Sequence, residues 1–410
     1  MPTLPRRSRS RRAVHRAGLA CAVALVSALV PLLAGGPVQA DPIPASHRDP
    51  SAQCALPNPT GWTDEGHATD YTTQFQQPQG TKKAAMLFVD FPDAPAMDST
   101  DDYYNFLAPA HGLMTQFSAG AVDLQITPVK HWLHMPQDST TYGFVRGITW
   151  PQQALYVKQA GELAAQYVDL SKFDMVYIVP PKNATAITFS PAYVFDPKQP
   201  NLVVNGKEMR WGVTLGQDMY VWGPKVLVHE TGHTFGLPDL YSFTDQDVHH
   251  WVGGFDVMGN IIGDAPHHFG WEDWKIGWLA DSQVACLNEP GSLSVRLKEV
   301  ESLGGTKIAV VRTGPTTAYV AESRKPYGVD KGICKSGVVV YAVDSSIASG
   351  DGPIRVQNSS PDAPTTSACG EAVDWGAYEP GQTFEDDTDG VTIKVDASSS
   401  SGDVVTVTKS

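Results

Sequence analysis

The stretch His229-Glu230-Thr231-Gly232-His233-Thr234-Phe235-Gly236-Leu237-Pro238-Asp239 organises this 410-residue chain. Gly223-Pro224 stands before an apolar run, and proline is favoured at the first helical position, so a helix is expected from about Pro224 to Phe235. Being four residues apart, His229 and His233 share one face of that helix. Glu230 points about 100° round, beside the two imidazoles rather than between them. Gly236 is able to take φ > 0, end the helix and turn the chain sharply. Leu237-Pro238 then leads to Asp239, whose carboxylate is placed to return to the imidazoles.

Two imidazoles, a third protein ligand and a water are what a catalytic zinc ion takes. Its charge lowers the pKa of the bound water towards ~7, and Glu230 stands where it can accept the proton. The stretch therefore reads as one catalytic Zn2+ held by His229, His233 and Asp239, with Glu230 as general base. The third position has rivals. If Asp239 only bonds local backbone at the helix end, then Asp264, His267, His268 or Glu272 must supply the ligand. Downstream, Phe255-Asp256-Val257-Met258-Gly259-Asn260 follows a Gly253-Gly254 turn. A methionine in such a turn provides a polarisable floor for a metal site.

His229 to Tyr241 followed by Phe255 to Asn260 resembles the metzincins, zinc peptidases with an extended zinc motif and a methionine turn. Among them the chain is similar to secreted bacterial peptidases of the immune inhibitor A family. Leu87 to Asp93, Trp274 to Leu279, Glu322-Ser323-Arg324 and the strand from Gly337 to Asp344 also fit that family, so the resemblance covers roughly residues 82–410. It implies an upper subdomain with a mixed sheet, a lower subdomain after Gly236, endopeptidase activity, His229 and His233 as ligands and Glu230 as base. Asp239 departs from the commoner third histidine. Asn260 stands where some metzincins carry a tyrosine, and could donate a hydrogen bond to the oxyanion.

The ends and the composition bound the setting. The first 40 residues hold six arginines and no acid, then an apolar run from Ala17 to Leu33 and the small-residue exit Val38-Gln39-Ala40. This is the pattern of a secretory signal peptide at 1–40. Of the 30 basic residues six lie in that leader, against 44 acidic residues all beyond it, so the remainder carries a net charge of −20. Such a surface repels nucleic acid and anionic membrane and invites Ca2+. The expected state is a secreted, extracellular monomer whose partner is a protein or peptide substrate. Cys54, Cys286, Cys334 and Cys369 remain outside the leader. They allow three pairings, of which Cys334–Cys369 within the C-terminal part and Cys54–Cys286 tying back the N-terminal part are favoured.

Along the chain, residues 41–80 read as an extended arm lying over the surface, or a short pro-segment. Residues 81–284 read as an α+β catalytic domain, with buried strands at 84–92 and 173–180, an alternating strand at 124–129, and helices at 101–118 and 152–167. Met209 to Thr214 reads either as an edge strand open to an extended peptide or as a plain hairpin strand. From about residue 285 short alternating or β-branched runs separated by Gly, Pro and Ser clusters indicate an all-β domain, a sandwich or open barrel, to residue 410. His249-His250 reads as a loop pair with local hydrogen bonds. Glu385 to Gly390 reads as a strand-connecting turn in preference to a calcium loop. A catalytically inactive secreted binding or adhesion protein on the same fold, or a zinc exopeptidase, are the competing functions.

Overall fold

The computed structural model describes residues 50–59, 64–263 and 266–410; the expected leader and the candidate ligand Asp264 lie outside them. In chain order the first half contains β1 (Gly80–Asp90), α1 (Thr100–Leu107), α2 (Ala110–Phe117), β2 (Val122–His134), α3 (Trp150–Ala164), β3 (Met175–Val179) and β4 (Ala192–Val194). A short pair, β5 (Val203–Val204) and β6 (Lys207–Glu208), precedes β7 (Trp211–Thr214), α4 (Met219–Trp222), α5 (Lys225–Thr234) and α6 (Gly270–Lys275). The sheet order is β2-β1-β3-β7-β4, parallel except for β4.

The unbroken apolar run of β1 follows from its central place. With a period of two, Ala84, Met86 and Phe88 enter the core on the side of α1, α2 and α5, while Ala85, Leu87 and Val89 enter the core under α3. Pro128 is tolerated within β2 because that strand is at the sheet edge, where a missing N–H breaks no ladder bond. Helix 101–118 is corrected to two helices. Pro109 has no N–H to donate and its ring crowds the preceding turn, so α1 stops and α2 starts anew at Ala110. The expected edge strand is also corrected. β7 lies inside the sheet, and β4 is the edge. Gly212 permits this, since a Cβ there would lie 3.1 Å from Val176 Cγ2 on β3.

The second half is all β in its main elements. β8 (Val284–Leu287), β9 (Gly291–Leu297), β10 (Ile308–Arg312), β11 (Thr317–Arg324), β12 (Gly337–Asp344) and β13 (Ile354–Val356) are followed by β14 (Thr383–Asp386), β15 (Val391–Ser399) and β16 (Gly402–Lys409). They form two sheets, β13-β12-β11-β10-β8 and β14-β15-β16-β9. Leu297, Val311, Val340, Ile393, Val405 and Val407 fill the core between them, which is the packing of a sandwich. The opposite face of the five-stranded sheet carries Val310, Val320, Val339 and Tyr341 into the same core as Met258, Phe269 and Trp271. One hydrophobic core thus crosses residue 285. The chain is mixed α+β, with a mixed sheet and two further β sheets.

The described parts of the N-terminal arm run over the surface but anchor themselves at several buried residues. Cys54, Leu56 and Phe75 are buried, as are Asp64, Glu65 and Gln76. Gln76 N–H donates to Thr234 O, Trp211 Nε1 to Gln74 O, and Trp278 Nε1 to Pro78 O. Two disulfides are present, Cys54–Cys286 and Cys334–Cys369, which are the pairings favoured from the sequence. Among the described residues no helix is long and apolar enough to cross a membrane.

Candidate metal centre

Helix α5 packs against the sheet through Val226, Leu227 and Val228, and Tyr177 on β3 pairs its hydroxyl with Thr231 Oγ1 at 2.9 Å. This leaves His229, Glu230 and His233 on the face toward a cleft of about 420 Å³. The helix ends as its glycine predicts. Gly236 adopts φ 94°, and Leu237 N–H closes onto Gly232 O at 3.1 Å. The chain then doubles back, and Asp239 arrives beside both imidazoles.

The tautomers follow from the neighbours. His229 Nδ1 donates to Val257 O at 2.8 Å, and His233 Nδ1 donates to Leu237 O at 2.8 Å. A carbonyl only accepts, so each Nδ1 carries the proton and each Nε2 points inward. Asp239 Oδ1 lies 3.1 Å from His229 Nε2 and 3.3 Å from His233 Nε2. Three electron-pair donors therefore converge, with ligand atoms all within 4.8 Å of one another. They can face each other only across an added proton or a shared cation. The donor set, two imidazoles and a carboxylate with backbone acceptors behind the rings, suits zinc.

Burial shifts the groups in opposing ways. Desolvation pushes the Glu230 carboxyl up to about 7, against the pull of His229 and His233. Burial alone would depress His233, but the charge and hydrogen bond of Asp239, the Glu230 charge and the Leu237 carbonyl together outweigh it and raise the imidazole to about 9. Burial would likewise raise Asp239, yet the charges and hydrogen bonds of His233 and His229 hold it well below the usual carboxylate range. Met258 is fully buried under the helix. A Cβ on Gly232 would lie 3.0 Å from its sulfur, so the glycine lets the thioether sit against the backbone between the two histidines. Asp256 fixes that turn, accepting Met258 N–H at 2.6 Å and Phe269 N–H at 2.6 Å.

Among the described residues, His229, His233 and Asp239 are the group brought together with metal-ligand spacing. The rival ligands His267, His268 and Glu272 are buried elsewhere. His267 stacks on Phe117 and lies 3.7 Å from Asp273, and neither histidine nor Glu272 lines the cleft. Asn260 is not on the cleft wall either; its Oδ1 accepts Ile262 N–H, and the oxyanion role suggested for it has no geometric support. His249 and His250 bond to Gly259 O and Asp247 O. Asp386 to Gly390 turns between β14 and β15, where Asp386 Oδ1 accepts Thr388 N–H. Sequence reasoning did not single out Arg146, Tyr241 or Ser349, which all line the cleft. Arg146 and Ser349 lie far from the zinc motif in sequence, so no local pattern marked them.

Neither the protein-family models nor the curated proteins compared with this chain contain a match.

Proposed function

We propose that the chain is a secreted, zinc-dependent endopeptidase of the metzincin kind, with His229, His233 and Asp239 as metal ligands and Glu230 as general base. The observation that carries this reading is the convergence of His229 Nε2, His233 Nε2 and Asp239 Oδ1 beside a buried glutamate in an open cleft. When bound, zinc supplies Lewis acidity toward the peptide carbonyl and a water acidified towards ~7. Glu230, buried beside the two imidazoles, is placed to take a proton from that water and return it to the leaving amine. The backbone carbonyls of Val257 and Leu237 hold the rings so that neither imidazole turns away during the cycle. Ala192 and Val194 of the edge strand β4 form part of the cleft wall, so an extended peptide would lie along that strand. The leader-like first 40 residues and the two disulfides support export to an oxidising compartment.

The test is casein digestion with and without chelator, paired with a zinc assay on Glu230→Gln. The variant is expected to keep stoichiometric zinc and lose digestion. Substantial digestion by purified Glu230→Gln removes the assigned base, and a wild type that binds zinc without digesting casein favours a binding protein.

A further inference from the structure

The cleft wall is mostly carbon, built from residues such as Phe189, Pro191, Ala192, Val194 and Phe243. Among the described residues, Arg146 is the one lysine or arginine along it. Its side chain is not simply loose in solvent. Nη1 donates to the Tyr241 hydroxyl at 3.2 Å, and the guanidinium carbon lies 5.4 Å from the centre of the Tyr241 ring. Tyr241 in turn stands two residues after Asp239, with its ring centre 6.3 Å from that of His229. The arginine is therefore tethered to the segment that delivers the third ligand. Among the described residues, no hydrogen bond engages Nε or Nη2.

The nearby negative charges are already committed. Asp239 faces the two histidines, and Asp218 accepts Ser190 N–H at 2.7 Å and Ser190 Oγ–H at 2.5 Å. What remains is an exposed, planar, always-charged donor on a mainly apolar wall beside the reacting centre. A guanidinium so placed matches a carboxylate, which it binds through paired N–H donors.

We propose that Arg146 makes the site selective for substrates with a carboxylate close to the bond that is cut. This deepens the peptidase reading and rests on it. The carboxylate has two sources, an Asp or Glu side chain within a longer chain or a free C-terminus. The first makes the protein an acid-directed endopeptidase, and the second an exopeptidase.

The experiment uses the zinc-loaded full chain and synthetic peptides of one base sequence. In one arm both ends are blocked, and a single Glu or its Gln twin is moved through the positions flanking the cut. In the other arm the residues are all uncharged, and the C-terminus is either free or amidated at each distance from the cut. At one position in one arm, the carboxylate peptide is expected to exceed its neutral twin in kcat/KM by about tenfold or more, the size of a charge-assisted hydrogen bond. Arg146→Gln should bring that ratio near one, and Arg146→Glu should invert it. Arg146 is exposed, so these substitutions do not threaten folding. Ratios near one everywhere in the wild type, or a preference that survives Arg146→Gln, overturn the proposal while leaving the peptidase reading intact. A wild type that cleaves no peptide in either arm overturns both.

Discussion

Ser349 Oγ accepts the backbone N–H of Asp239 at 2.8 Å and lies 3.4 Å from Oδ2 of the same residue, across 110 positions of sequence. Gly350 N–H adds a bond to Asp239 O at 3.0 Å. The loop between β12 and β13, in the β-rich half, thus holds Asp239, the proposed ligand that follows α5. This support adds to the contacts with the two imidazoles that orient the Asp239 carboxylate.

Ser349→Ala is therefore expected to weaken zinc affinity by about 10- to 100-fold, the usual consequence of losing a group that orients a ligand. Competition with a chromogenic chelator measures it. Affinity equal to that of the wild type shows that Asp239 is held by its backbone alone.

Gly236 is the second point where geometry leaves little choice. Its φ of 94° is strained for any residue with a Cβ, and that Cβ would lie 2.9 Å from Thr69 Cγ2 on the arm. Gly236→Ala should cost about 1–3 kcal/mol in urea unfolding. It should also lower zinc content, because the displaced turn carries Asp239. A variant as stable and as fully zinc-loaded as the wild type would show that the turn remodels freely.

His67 offers a test through pH. Its ring sits 4.6 Å from that of Trp271 and 4.1 Å from that of Trp274, and neither ring nitrogen has a hydrogen-bond partner or reaches solvent. Burial, with Lys275 nearby, lowers its pKa to about 3 from the ordinary 6.5. The unfolded chain thus binds a proton that the folded chain refuses, so this group's contribution to stability falls as pH drops from 6.5 toward 3. The slope is about 1.4 kcal/mol per pH unit. Buried carboxyls with raised pKa values, such as Asp273 at about 7, act with the opposite sign, so the comparison must be between variants. His67→Phe keeps the aromatic packing and loses the proton site. Its stability relative to wild type should rise steadily from pH 6.5 to pH 5 in denaturant titrations; parallel curves would mean that His67 titrates normally.

Much of the site was legible because its rules are local. The spacing of His229 and His233, the position of Glu230 and the turn at Gly236 depend on helix periodicity and on one residue's φ. Asp239 was already favoured for that place on spacing alone, and the fold brings its carboxylate beside both imidazoles. The break at Pro109 was equally local and was missed because the apolar periodicity of Asp101 to Ser118 outweighed a single proline. The edge strand was misplaced for a different reason. β4 and β7 are both short and partly apolar, and β7 lies inside against β3, where the absence of a Cβ at Gly212 leaves room for Val176, a fit between distant strands.

The sequence by itself determined the helix that carries His229, Glu230 and His233, the sharp turn after it and the mixed α+β character, and it favoured the cysteine pairs that the fold contains. The helix, turn and fold class follow from periodicity and from backbone freedom at glycine. Only the tertiary structure decided that Ser349 steadies Asp239, that Arg146 leans on Tyr241, that His267, His268 and Glu272 are buried away from the cleft, and that Cys54 and Leu56 of the N-terminal arm enter the core. Each of these joins segments far apart in the chain. Their meeting depends on how whole sheets pack, and no short-range pattern encodes it.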